Sequence, residues 1–324
     1  MDTVPPYLPP RTDEKTLYGR GACDAKSLIA GQLIAAQKLV EAGYGDDVQL
    51  LFVVSEETDH SGMKKANDLN VNPAHMVVGE PTALKMSKMQ KGVLKIRLTQ
   101  KGVAAHSGKI GQQLLVMPQP RMLTNFVLTA FISLLWLGYP HLGESAIDPM
   151  IDVLYALKIE SWPYSEEYGA TDLNIGLLSG GQAANALAEQ ASAMLMFRLT
   201  TEPDVIFQRV KVCAVVVERD VKQYPLTSLT LVLQCQEIVA DRVSMELYTA
   251  NAPVHLTVVE GYETGIACFN TDVPYFKFDG KAYLVGAGSI TDAHCPREFI
   301  ELEDLRSVVG YYFTLGKRLI EHGK

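Results

Sequence analysis

Carboxylate and imidazole side chains recur in this chain at the ends of short apolar runs. They occur in Gly19-Arg20-Gly21-Ala22-Cys23-Asp24, Ser55-Glu56-Glu57, Gly79-Glu80-Pro81-Thr82 and Ala293-His294. Carboxylate oxygens and an imidazole nitrogen make a donor set suited to zinc, and a glutamate beside a ligand glutamate can act as general base for a water that the metal activates. Each cluster has an ordinary reading as well. Asp24 can cap the helix that follows it, Glu56-Glu57 can be a solvated helix start, Glu80 a loop residue before proline, and His294 a surface or core histidine. Their occurrence together, in one order and after runs that read as strands, points to a metal centre.

The elements that must position these residues are read from hydrophobic period. Val48–Val54 and Met76–Val78 are continuous apolar runs of strand length, each followed at once by carboxylates. Open α/β sheets place their chemistry at that end of the strands. A helix over Ala25–Val40 and another over Gly62–Leu69 complete a βαβ rhythm, which predicts a mostly parallel sheet. From Gly92 the pattern alternates: Gly92–Leu98, Ala193–Leu199 and Leu229–Gln234 read as half-exposed antiparallel strands, with helices over Ser145–Leu157 and Pro203–Arg219. The expected class is therefore α/β, with a mostly parallel-sheet catalytic domain and an inserted ferredoxin-like (β-α-β-β-α-β) module. The catalytic domain is expected over 1–90 and 241–324, and the module over 91–240. His294 falls on a loop before a closing helix, Leu302–Glu321.

Composition narrows the function. The 324 residues carry 29 basic and 37 acidic side chains, a net charge of −8, which disfavours nucleic acid as a partner. No glycine-rich phosphate loop followed by Lys-Ser/Thr is present, so nucleotide hydrolysis has no support. The five cysteines are odd in number and scattered, giving neither a disulfide framework nor a cysteine metal knot. The apolar stripe Phe126–Leu137 is too short for a bilayer, which needs about twenty apolar residues, so no membrane partner is expected.

Taken in order, Asp2-Thr3-Val4-Pro5-Pro6, Gly19 to Lys26, Glu56-Glu57, Gly79 to Thr82, Gly102 to Gly108, Gly180 to Asn185 and Gly288 to His294 resemble the M20 family of co-catalytic zinc metallopeptidases. That family groups glutamate carboxypeptidases, aminoacylases and acetylornithine deacetylases, and the nearest flavour is that of secreted fungal probable carboxypeptidases. The resemblance implies two zinc ions per subunit. Asp24 would bridge them, Glu57 and His294 would complete one shell, Glu80 would hold the other ion, and Glu56 would be the base. Asp2 would orient a histidine ligand two residues ahead of it. The module would serve as lid and homodimerisation domain, with His106, Asn185 and Arg198 contacting substrate, a small peptide or N-acyl amino acid. The implied activity is cleavage of an amide or peptide bond next to a free carboxylate.

Two departures accompany the resemblance. The sequence begins Met1-Asp2, so the histidine expected ahead of Asp2 is not in it, and the second ion retains only Asp24 and Glu80. An N-terminally truncated chain of poor catalytic power is the expectation, and an inactive fragment or non-catalytic paralogue is the alternative. Residues from about 109 to 138 form an atypical insertion between segments that adjoin in the family. Secretion is expected if a signal peptide precedes this sequence, and a cytoplasmic or vacuolar site otherwise.

Overall fold

The computed structural model describes residues 2–105, 143–218 and 243–322. His106, the segment 109–138 and the strand expected over Leu229–Gln234 lie outside the described residues. In chain order the elements begin β1 (Arg11–Thr12), β2 (Thr16–Tyr18), α1 (Lys26–Leu39), α2 (Ser61–Ala66), β3 (His75–Val78), β4 (Met86–Gln90) and β5 (Gly92–Lys101). There follow α3 (Ile147–Ile159), β6 (Tyr164–Ser165), β7 (Gly169–Ala170), β8 (Asp172–Gly180), β9 (Gln190–Leu199) and α4 (Pro203–Glu218). The chain ends with β10 (Val243–Asn251), β11 (Val254–His255), β12 (Thr264–Ala267), β13 (Lys281–Leu284), β14 (Phe299–Glu301) and α5 (Leu302–His322). It divides into two compact units, Met1–Lys91 with Pro253–Lys324, and Gly92–Ala252.

The second unit is a four-stranded antiparallel sheet in the order β10-β5-β9-β8. With α3 after β5 and α4 after β9, the strands of this sheet and the two helices run β-α-β-β-α-β, and the short β6-β7 pair lies between α3 and β8. The period-2 alternation seen in the sequence is what makes it. Leu94, Ile96 and Leu98 of β5 and Leu195, Phe197 and Leu199 of β9 are wholly buried. They pack with Val153 and Leu157 of α3 and with Ile206 and Val210 of α4, while Arg97 between them points away from the core.

The first unit carries the candidate chemistry. Its strands form three small sheets: β1-β2-β14, β11-β4-β12 and the parallel pair β13-β3. Helices α1 and α5 lie against each other through Leu28 and Ala35 on one side and Val308, Tyr312, Leu315 and Leu319 on the other. The spacing of the α5 set is that of one helical face. Gly31 permits the close approach, since a Cβ there would stand 2.7 Å from Val308 Cγ1.

One expected strand is not formed. Val48–Val54 belongs to no sheet, and Leu50, Leu51, Phe52 and Val54 stand 40–56% exposed. A strand exists only through its ladder, and among the described residues none is hydrogen-bonded beside this run. The run lines a groove of about 650 Å³ whose wall also includes Ile29, Leu39 and Met76, with Glu56 and Glu80 on the same lining. An apolar run of this length is compatible with a strand, but the run by itself says nothing about whether a neighbour is available to pair, and the expected strand is absent here. The remaining elements of this unit lie close to expectation: α1 ends at Leu39 and passes through a π-turn at Val40–Tyr44, and α2 continues as a 3₁₀ turn, Asn67–Leu69. Among the described residues no helix is long and apolar enough to cross a membrane.

Candidate metal centre

Asp24 closes the loop between β2 and α1. The N-cap of α1 is Ala25, with no side-chain cap, so the capping reading of Asp24 fails and its carboxylate is directed elsewhere. Asp24 Oδ2 stands 3.2 Å from His294 Nε2, and the same nitrogen lies 3.1 Å from Glu57 Oε1. One donor atom from each of Asp24, Glu57 and His294 lies within 4.8 Å of the others. Residues 270 positions apart in sequence thus converge as three hard-to-borderline donors.

A buried ion pair that the sequence reading did not assign holds two of the contributing loops together. Glu298 is wholly buried in its side chain. Its Oε2 accepts from Arg20 Nη1 at 2.6 Å, and its Oε1 accepts the backbone N–H groups of Cys23 and Asp24, each at 3.0 Å. The backbone of Glu298 donates to Cys295 O and accepts from Gly19 N–H. One carboxylate therefore fixes the turn bearing Asp24 against the loop bearing His294. Its position four residues after His294 was visible in the sequence, but nothing there distinguishes it from a surface glutamate. Gly288 allows the fit, because at φ +75° a Cβ would stand 2.8 Å from Cys23 Sγ. The Cys23 thiol is fully buried, and burial first, then Asp24, pushes its pKa up to about 12.

Glu80 follows β3 on a loop laced to residues 286–289. Ala83 N–H donates to Gly288 O at 2.6 Å, Leu84 N–H to Gly286 O at 2.8 Å, and Thr82 bridges to Ser289. The Glu80 carboxyl is buried and lies outside the three-donor group. Burial, then the charge of Asp24, raises its pKa well above the usual carboxylate range.

Glu56 and Glu57 share a turn in which Ser55 and His60 adopt left-handed backbone, φ +66° and +57°. Asp2 Oδ1 accepts the Glu56 backbone N–H at 3.1 Å, so Asp2 acts here on the turn that carries the candidate base. Burial, then the charges of Asp272 and Glu57, pushes the Glu56 pKa up to about 8. Asp24 rises to about 6, chiefly through burial and then through Glu57. Four carboxyl groups crowded into a partly dry site resist ionising together. A divalent cation removes that conflict, and the oxygen and nitrogen donors suit zinc, so the residues present fit such an ion. Asn185, in an exposed turn, and Arg198, half-buried on β9 opposite Val93 and Asp172, belong to the other unit.

The profile of the family described as "Peptidase family M20/M25/M40" matches residues 1–318. A peptidase M20 domain-containing protein of Schizosaccharomyces pombe is 30% identical over 310 residues, covering 94% of this chain and 64% of the relative. A probable carboxypeptidase of Paracoccidioides brasiliensis is 30% identical over 353 residues, covering 100% of this chain and 70% of the relative. The chain thus spans about two thirds of the length of the curated relatives it matches. Among solved structures, a Bacillus subtilis protein described as a dinuclear metal binding peptidase of the M20 family superposes with a TM-score of 0.57 at 12% identity. It covers 94% of this chain and 74% of that one, a likeness of fold.

Proposed function

The chain belongs to peptidase family M20/M25/M40, and we propose that it contributes the core of a zinc-dependent hydrolase that cleaves an amide or peptide bond next to a free carboxylate. The observation that carries the proposal is the convergence of Asp24, Glu57 and His294 with Glu56 beside them, its proton affinity raised toward neutrality. Asp24, Glu57 and His294 would hold one ion, and Asp24 with Glu80 would contribute to a second. Bound zinc supplies Lewis-acid polarisation of the scissile carbonyl and lowers the pKa of water toward about 7.

The chain's own groups supply the proton chemistry. Glu56 takes the proton of the attacking water and later delivers it to the leaving amine, the role open to a carboxyl directly beside the ligand Glu57. Asp2 keeps Glu56 oriented through the backbone hydrogen bond at 3.1 Å. Glu298 and Arg20 keep Asp24 directed at the ion. In this reading Asn185 assists the oxyanion, Arg198 holds the substrate carboxylate and His106 polarises the carbonyl from a neighbouring subunit. A small peptide and an N-acyl amino acid share the bond and the carboxylate this chemistry requires. Homodimerisation through the second unit is supported by exposed apolar groups there: Ile151, Tyr155 and Ile159 of α3 and Leu177 and Leu178 of β8, 54–69% exposed.

Metal analysis after chelation and zinc reloading tests the centre. Near-stoichiometric zinc, lost in His294→Ala, is expected, with Glu56→Gln retaining zinc while any turnover of N-acyl amino acids or short peptides is abolished. Zinc uptake absent from the wild-type chain, or unchanged in His294→Ala, would overturn the assignment and favour a non-catalytic paralogue.

A further inference from the structure

The turn that carries Glu56 and Glu57 lacks the support a strand would normally give it. The segment before it, Val48–Val54, is in no sheet. The turn is closed on itself by His60 N–H donating to Ser55 O at 2.7 Å, with both of those residues in left-handed backbone. Side chains other than glycine are strained in that region and stay there only when their surroundings hold them. Asp2 holds the turn at the Glu56 N–H and Gly62 N–H ties its far end to Val54 O, and the side chain that fastens it to the rest of the unit is the His60 ring.

His60 Nδ1 is 2.9 Å from Asp272 Oδ1, with side chains only 13% and 6% exposed. The ring stacks on Tyr275 at a centroid distance of 4.1 Å and 18° between planes, and Asn270 Nδ2 lies 3.4 Å from Nε2. The short helix α2 is tied to the same loop by Asn67, whose Nδ2 donates to Tyr275 O and whose Oδ1 accepts from Lys277 N–H. Turn and helix are therefore fastened to residues 270–277 by side chains, and His60 is the fastening nearest the candidate ligand.

We infer that His60, gripped by Asp272 and Tyr275, is a positioning residue for Glu56 and Glu57, so that zinc affinity depends on a side chain outside the three-donor group. This rests on the metal-centre reading above. Partners that orient a ligand typically change metal affinity by about 10- to 100-fold when removed.

The test is zinc binding by competition with a chromophoric chelator, with thermal melting alongside. His60→Phe retains a ring against Tyr275 but severs Asp272, and zinc should bind about 10-fold or more weakly. His60→Asn tolerates left-handed backbone and retains an N–H for Asp272, and should recover to within about threefold of wild type. His60→Gly relieves the backbone strain while removing both contacts, so it decides the matter should the Phe variant fail to fold. It should show the same loss of affinity in a chain that still melts cooperatively. A purely structural histidine would shift the melting temperature and leave zinc affinity within about twofold of wild type in these variants, a result that overturns the inference. Wild-type protein that takes up no zinc defeats the metal-centre reading itself, and the clamp with it, an outcome distinct from normal uptake that ignores His60.

Discussion

Removing the Glu56 charge tests the electrostatics of the site without any substrate. With no metal bound, burial and then the neighbouring charges of Asp272 and Glu57 disfavour ionisation of Glu56 and push its pKa up to about 8 against an ordinary 4.5. The sign follows from proton uptake. Below about pH 4.5 the group is protonated in both folded and unfolded chains, and its favourable contribution is fully present. Between about pH 4.5 and 8 the unfolded chain releases the proton while the folded chain keeps it, so stability falls as pH rises. At 1.36 kcal/mol per pH unit the complete effect is roughly 5 kcal/mol. The partial exposure of the turn argues for the lower end of about 3 to 5 kcal/mol. Urea unfolding followed by circular dichroism, from about pH 5 to pH 9, should therefore show a declining curve for the wild type. Glu56→Gln, which carries no charge to bury, should decline less steeply by about one proton over the same range. Zinc should flatten the wild-type curve, because the cation compensates the crowded carboxylates. Parallel curves for wild type and Glu56→Gln in chelator would refute the argument, because Glu56 would then be free to ionise in the folded site.

Further consequences are accessible with the same protein. Glu298→Ala leaves the Arg20 guanidinium buried without a carboxylate, holding its Nε bond to Pro6 O, and removes the acceptor for two backbone N–H groups. It should cost about 3 to 5 kcal/mol in urea unfolding. Iodoacetamide at about pH 8 should label exposed Cys268 well before Cys23, whose thiol is buried with its pKa pushed up to about 12; peptide mapping by mass spectrometry reads the order. Phe52→Lys, at a site 40% exposed in the apolar run that belongs to no sheet, should lower the binding of an apolar fluorescent dye. It should change folding stability by less than about 0.5 kcal/mol.

The amino-acid order by itself determined most of the element types and the identity of the candidate donors. Period-2 alternation specified β5 and β9, the closing helix was legible over Leu302–Glu321, and the ordered motifs singled out Asp24, Glu57 and His294, which do converge. These features are local, or depend on residue type, and a chain carries them without reference to its fold. Tertiary structure decided what depends on partners distant in sequence. Whether Val48–Val54 becomes a strand depends on a neighbour to pair with, and here none is formed among the described residues. The role of Glu298 arises only where Arg20, Cys23 and Asp24 are brought to it across more than 270 positions. His60 reads as an unremarked loop histidine until Asp272 and Tyr275, over 210 residues away, enclose its ring. Hydrogen bonds and burial are properties of space, and a linear pattern encodes them only through the fold that brings the groups together.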